Sequence, residues 1–158
     1  MDNLNLIGLD NGKVTHLAEG LNDLLANYHV FYQNVRGYHW NIKGGNFFEL
    51  HAKFEELYND LVEKIDEVAE RILTLGNTPG NAFSRFLQIS EIPERSDITD
   101  GKEAVNEILK SFRILIIKQR RLLNESGEMD DEGTNALMSD YIREQEKLVW
   151  MYSAYLNK

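Results

Sequence analysis

The chain has 158 residues, enough for one domain, and its 42% hydrophobic and 27% charged residues are ordinary for a folded protein. Its 17 lysines and arginines against 26 aspartates and glutamates give a net charge of −9, the wrong sign for holding nucleic acid by neutralising phosphates. Because there is no cysteine, disulfides, thiolate catalysis, iron–sulfur clusters and cysteine-based zinc sites are excluded, and a metal would have to bind histidine and carboxylate side chains.

The start of the sequence has no basic segment followed by an apolar run, and no stretch approaches the roughly 18 apolar residues of a membrane span. We therefore expect a soluble protein without membrane contact, located in the cytoplasm.

Apolar residues that recur at three- and four-residue steps predict four long helices. Asn46 is a candidate N-cap of the second helix, and either Asp97 or Thr99 can cap the third. The approximate bounds are Thr15–Trp40, Asn46–Leu75, from Asp97 or Thr99 to just before Gly127, and Asp131–Leu156.

The only prolines, Pro79 and Pro93, bracket a central connection that divides the chain into halves of two helices each. Within it, AFSRFLQIS can form one short helix. The pattern predicts an all-α four-helix bundle with a short helix in one long central crossover. We expect residues 1–158 to be a single domain, with residues 1–13 as a short N-terminal arm.

All four histidines, His16, His29, His39 and His51, lie in the first third of the chain. A di-metal site inside such a bundle uses Glu-x-x-His pairs, but the residues three before each histidine are Lys, Ala, Arg and Phe. An ordinary intra-bundle di-iron centre is therefore not expected. His16 and His29 lie off the main apolar stripe and are interpreted as surface or interface residues.

The second helix places four potential metal ligands along one flank. With His51 at zero, Glu55, Asp66 and Glu70 fall at about 40°, 60° and 100° on a helical wheel. His51 and Asp66 are about 22 Å apart along the axis, too far to hold one ion together. Either there are two half-sites, or a two-fold axis brings His51 and Glu55 of one subunit to Asp66 and Glu70 of another.

His39 lies 18 residues, or five turns, after Leu21 and so on the core stripe of the first helix, just before the turn to the second. Two imidazoles with carboxylates suit Fe(II), although zinc or manganese would also bind them. The alternatives are a hydrogen-bonded core role for His39, and carboxylates that are solvated or paired with Lys64 or Arg71.

Residues 38–80 carry the motifs HWN, G-x-x-F-x-x-LH and D-x-x-A-E-R-x-x-x-LG at consistent distances. In these motifs the chain resembles the Dps family, the mini-ferritins, and its length and helical plan extend the resemblance over nearly the whole sequence. The resemblance implies a ferritin-like bundle with a ferroxidase site between two-fold related subunits. His39 and His51 would come from one chain, and Asp66 and Glu70 from its partner.

The family usually has aspartate four residues after the second histidine, where this chain has Glu55. The additional methylene group moves the carboxylate, which leaves three alternatives: Glu55 coordinates iron directly, through water, or weakly. Occupancy of the second iron position depends on which of these applies. Arg36 stands at a position that is often basic in the family, and Trp40 resembles the tryptophan that adjoins the family's ferroxidase centre.

The resemblance further implies a hollow twelve-subunit shell that binds iron, oxidises Fe(II) preferentially with hydrogen peroxide and stores Fe(III), protecting the cell from oxidative damage. Four acidic residues near the start of the fourth helix resemble the family's entry pores, or else they complement the helix dipole. These residues are Asp130, Asp131, Glu132 and Asp140.

Some family members also bind DNA through a lysine-rich arm, and a DNA-binding nucleoid protein of the same fold is the main alternative function. Here the first 30 residues contain one lysine or arginine, Lys13, so we expect no tight DNA binding at physiological salt. Two more hypotheses are a bundle whose histidines and acids only hold an interface, and a manganese catalase or rubrerythrin-like enzyme, which the missing Glu-x-x-His pairs disfavour.

Overall fold

The chain is described by a computed structural model over residues 3–158, so Met1 and Asp2 of the predicted arm lie outside it. Four long helices and one short helix form the ferritin-like bundle that the sequence predicted, with the short helix in the central crossover. The helices are α1 Asn11–Asn41, α2 Phe47–Thr74, α3 Phe83–Ile89, α4 Gly101–Glu128 and α5 Glu132–Tyr155.

The first helix begins four residues earlier than predicted. The Asp10 carboxylate accepts a hydrogen bond from the Lys13 backbone N–H, which satisfies one free donor at the helix start. As a result, the last three residues of the predicted arm are helical. The preceding segment folds back on itself, because the Asn5 side chain accepts bonds from the backbone of Ile7 and Leu9.

The predicted caps of α4 were wrong. The residue that caps it is Asp100, whose side chain accepts a bond from the Glu103 backbone N–H. Asp97 has a φ of 60°, which is not the extended conformation of an N-cap. Thr99 is not the N-cap either, because the carbonyl of an N-cap accepts the first bond within its own helix. The Thr99 carbonyl instead accepts a bond from the Lys43 N–H in the α1–α2 turn.

The core lies where the apolar stripes of the long helices meet. Helix α1 packs against α2, α3 and α4, and α4 packs against α5. The main apolar stripe of α2 is buried except for Ile65, which is half-buried on the side of the helix that carries His51. The stripe consists of Leu50, Phe54, Leu57, Leu61, Ile65, Val68 and Ile72. This packing fixes α2 so that its flank with the candidate ligands faces away from the core.

A closed ring of neutral hydrogen bonds fills the centre of the bundle. The Tyr28 hydroxyl donates to Gln119, the Gln119 amide donates to Gln145, and the Gln145 amide donates back to Tyr28. Burial raises the pKa of Tyr28 well above its ordinary value, so the hydroxyl keeps its proton. Helical bundles that bind metals internally place carboxylates on facing core positions, whereas this ring contains none.

Candidate metal centre

Two histidines from different helices form a preorganised pair. His39 lies in the last turn of α1 and His51 in the second turn of α2, and their rings stack with centroids 3.8 Å apart at 12°. The His39 Nδ1 is 2.6 Å from the His51 carbonyl oxygen, and the His51 Nδ1 is 2.7 Å from the His39 carbonyl oxygen. Each ring is therefore held by the backbone of the other residue.

These reciprocal bonds determine which ring nitrogen of each histidine is available to bind a metal ion. A carbonyl oxygen can only accept, so both Nδ1 atoms must carry the proton and donate it. In the neutral rings, Nε2 then keeps its lone pair, and no hydrogen bond of the described residues involves either Nε2. Histidines that ligate metals usually have their other nitrogen fixed by such a bond, and both His39 and His51 have one.

Aromatic side chains enclose the pair. Phe47 stacks on His51 with centroids 4.9 Å apart, and the Tyr58 ring stands edge-on to His39 at 5.3 Å. His39 is only 7% exposed, as expected for a residue on the core stripe of α1, whereas His51 is half-buried. The sequence thus placed both histidines correctly on their helices.

Glu55 is exposed, one turn beyond His51, and its Oε1 lies 3.5 Å from the Tyr58 hydroxyl. Partial burial, together with the negative charge of Glu55, raises the pKa of Tyr58. Sequence reasoning missed Tyr58 as a site residue. The signal was its position seven residues after His51, which is two turns along the same face of the helix.

Asp66 and Glu70 lie farther along α2, exposed and one turn apart. Neither carboxylate makes a salt bridge or a side-chain hydrogen bond within residues 3–158. The proposed neighbours are engaged elsewhere, because Lys64 binds Asp60 and Glu144 at 2.7 and 2.8 Å. The alternative in which Lys64 neutralises these two acids is therefore wrong.

Arg71 does not pair with Asp66 or Glu70 either. Its Nη2 lies 2.6 Å from the Asp131 carboxylate, and its Nε donates to the Thr134 hydroxyl. These bonds tie the end of α2, next to Glu70, to the start of α5.

The acidic residues near the start of α5 have different environments. Asp131 is buried, caps α5 through the Thr134 N–H and binds Arg71, so it is not an exposed pore residue. Asp140 is exposed and 3.2 Å from Arg143, while Asp130 and Glu132 are exposed.

Large apolar side chains are exposed beside the candidate ligands. On α2, Phe48, Leu73 and Val62 are 83%, 58% and 40% exposed. Helical geometry puts all three at about 20° to 60° from His51, on the same flank as Glu55 and Asp66. On α1, Trp40 is 55% exposed, and the Arg36 guanidinium lies 4.8 Å from the centre of its ring.

Comparison with known proteins identifies the family. A family model described as a ferritin-like domain matches residues 18–158. The crystal structure of a Dps protein from Vibrio cholerae O1 superposes with a TM-score of 0.96 at 58% identity, covering 99% of this chain and 98% of that one. The chain belongs to the Dps family.

Curated protein sequences are also similar to this Dps protein over most of its length. A "DNA protection during starvation protein" of Porphyromonas gingivalis is 43% identical over 98% of both chains. An uncharacterized Haemophilus influenzae protein is 57% identical, covering 94% of this chain and 92% of the relative. The Vibrio cholerae protein is described as a member of a broad superfamily of ferritin-like diiron-carboxylate proteins. None of the helices in residues 3–158 has the length and apolar character needed to cross a membrane.

Proposed function

We propose that this Dps protein is a ferroxidase and an iron store that binds Fe(II), oxidises it with hydrogen peroxide and retains Fe(III) in a closed shell of subunits. The observation that carries the proposal is the stacked pair of His39 and His51, in which both Nδ1 atoms are bound by backbone carbonyls and both Nε2 atoms are without a partner among the described residues. Fixed imidazoles with a free nitrogen, beside exposed carboxylates, form a mixed nitrogen and oxygen site that suits Fe(II).

The site is shared between two copies of the chain. Within residues 3–158, no group of three or more histidine and acidic side chains lies close enough to hold a metal ion in one chain. Two α2 helices that pair antiparallel about a two-fold axis would set His51 opposite the partner's Glu70. The same register sets Glu55 opposite the partner's Asp66, so the two acids without salt bridges complete the histidine half-site.

The exposed apolar residues support this register. With His51 opposite the partner's Glu70, Phe48 falls opposite the partner's Leu73, at each end of the paired helices. Both side chains are more than half exposed in the single chain. Their contact would remove apolar surface from water, which favours association, and would enclose the metal ligands between the helices.

A site with histidine and carboxylate ligands for two Fe(II) ions suits their oxidation by one hydrogen peroxide. Two Fe(II) ions each lose one electron, the O–O bond of one peroxide breaks, and with two protons the peroxide becomes two waters. Because both electrons reach the same peroxide, hydroxyl radical is not released. The carboxylates favour the product, since anionic oxygen ligands bind Fe(III) more strongly than Fe(II). Iron is thus the substrate of the site as well as the stored cargo.

We further propose a shell of twelve subunits and protection of DNA without tight contact. The net charge of −9 repels phosphates, and the segment of residues 3–10 contains no lysine or arginine. The removal of Fe(II) and peroxide would protect DNA chemically. A shift of plasmid DNA by the assembled protein at about 150 mM salt would instead favour the nucleoid-binding alternative.

An anaerobic Fe(II) titration followed by stopped-flow addition of hydrogen peroxide tests the proposed function. We expect binding of two Fe(II) per subunit, fast oxidation at two Fe(II) per peroxide, and little hydroxyl radical captured by a spin trap. Oxidation no faster than that of Fe(II) in buffer, or a burst of trapped radical, would show that the chain is not a peroxide-consuming ferroxidase.

Substitution Phe48→Glu should weaken the two-fold dimer, because it places two unpaired charges in the apolar contacts of each dimer. The single chain should still fold, since this side chain is mostly exposed. Light scattering should show smaller assemblies than for the parent. Phe48→Met, which keeps an apolar side chain of similar size, is the control and should assemble normally. An undiminished assembly of Phe48→Glu would argue against this register.

A further inference from the structure

Among the described residues, the fold of the single chain holds the side chain of Glu55 by only one long contact. This side chain is exposed, and within residues 3–158 it makes no salt bridge. A glutamate has one more rotatable bond than an aspartate, and fixing that bond at a metal costs conformational entropy. A contact that restricts Glu55 before the metal arrives would reduce this cost.

We propose that Tyr58 is a positioning residue whose hydroxyl group restrains the Glu55 carboxylate on the side of α2 that carries His51, so that Glu55 can act as a ligand of the second Fe(II). This inference rests on the proposed ferroxidase function and adds a residue to the same site. The Tyr58 hydroxyl is 3.5 Å from the Glu55 Oε1, the one side-chain hydrogen bond of Glu55 among the described residues.

The Tyr58 ring is itself held in place by two neighbours. It stands edge-on to His39 at 5.3 Å and edge-on to Tyr32 at 6.1 Å. Tyr58 therefore contacts His39 of α1 through its ring and Glu55 of α2 through its hydroxyl. This arrangement links the Glu55 carboxylate to the histidine pair through one rigid side chain with few rotatable bonds.

The charge state of Tyr58 is consistent with this role. The hydroxyl group of a tyrosine carries its proton at neutral pH and can donate it. A protonated hydroxyl donates to the carboxylate without adding a second negative charge beside it. The distance of 3.5 Å is long for such a bond, so the contact restrains the carboxylate without fixing it in one orientation.

Substitution Tyr58→Phe removes the hydroxyl group but keeps the ring. It therefore tests the hydroxyl alone, because phenylalanine retains the edge-on contact with His39. In anaerobic calorimetric titration with Fe(II), we expect the dissociation constant of the more weakly bound ion to rise about fivefold, as for loss of one ordinary hydrogen bond. The more tightly bound ion should be unaffected. Tyr32→Phe is the matched control, since this neighbouring tyrosine makes no side-chain hydrogen bond among the described residues and should titrate like the parent.

A double-mutant cycle with Glu55→Gln tests whether Tyr58 acts through Glu55. In the Glu55→Gln background, where the carboxylate charge is already absent, Tyr58→Phe should change the titration by less than about twofold. A fivefold effect that persists in this background, or a Tyr58→Phe protein that titrates like the parent, would overturn the proposal.

Different results would contradict the proposed function and the role of Tyr58. If the parent protein binds Fe(II) but does not oxidise it, the proposed function is wrong, while the binding effect of Tyr58→Phe still decides the role of Tyr58. If the parent binds only one Fe(II) per subunit, Glu55 holds no second ion and the inference is wrong, whereas fast peroxide-dependent oxidation without trapped radical in that protein would still support the ferroxidase function.

Discussion

Replacement of Asp66 and Glu70 together by alanine is expected to lower the rate of peroxide-dependent Fe(II) oxidation by at least about 100-fold, toward the rate of Fe(II) in buffer. Loss of groups that merely support a metal ligand costs 10- to 100-fold, and these carboxylates are proposed ligands themselves. Both side chains are exposed and without salt bridges in residues 3–158, so the free energy of unfolding should change by no more than about 0.5 kcal/mol. Stopped-flow oxidation at two Fe(II) per subunit, with circular dichroism on heating, measures both effects.

The control is Glu63→Ala with Glu67→Ala. These residues are also exposed acids one turn apart on α2, but they lie about 60° farther round the helix. The control removes the same charge and should retain most of the activity at this low iron loading. Equal losses in both double variants would mean that general negative charge, and not a defined site, drives the oxidation.

The positions of the candidate ligands along and around the helices could be predicted from the sequence. A helix turns by about 100° per residue, so the spacing from Leu21 placed His39 on the buried stripe of α1, and the spacing from His51 placed Asp66 on an exposed flank of α2. Both positions agree with the burial in the structure. Periodicity is a local property and needs no knowledge of how the helices pack.

Contacts between helices could not be predicted in this way. The bonds between each imidazole and the backbone of the other histidine depend on how the turn at residues 42–46 brings the end of α1 to the start of α2. The cap of α4 depends on the same region, because the bond from Lys43 to Thr99 holds the crossover against that turn and leaves Asp100 to begin the helix. Asp97, Thr99 and Asp100 all have side chains that can cap a helix, and the contacts between the crossover and the turn determine which of them does so.

Burial of charged groups was the other feature that the sequence did not reveal. Asp131 was equally compatible with a pore and with a helix start, and the structure places it in a buried bond with Arg71. Lys64, at a position that helical periodicity alone would allow at the surface, is buried between Asp60 and Glu144. Whether a charge faces solvent or another helix depends on the rotation of the neighbouring helix, which single-helix patterns do not contain.

Sharing of the site between subunits predicts complementation between two inactive variants. One variant, His39→Ala with His51→Ala, lacks the histidine half-site, and the other, Asp66→Ala with Glu70→Ala, lacks the carboxylate half-site. Each alone should oxidise Fe(II) at the background rate. In a dimer of the two, one site receives intact histidines from one subunit and intact carboxylates from the other, while the second site has neither.

Co-expression of the two variants with different affinity tags should therefore restore about a quarter of the parental activity, since random pairing makes half of the dimers mixed and each mixed dimer has one complete site of two. The rate per subunit at two Fe(II) per subunit is the measurement, with thermal unfolding to show that the histidine variant remains folded. A mixture that stays at background would contradict the shared site, because the histidines of one subunit and the carboxylates of the other would then not act on the same ions. A restored quarter would require that His51 of one subunit and Asp66 of another act on the same ions, because neither variant has both sets of ligands.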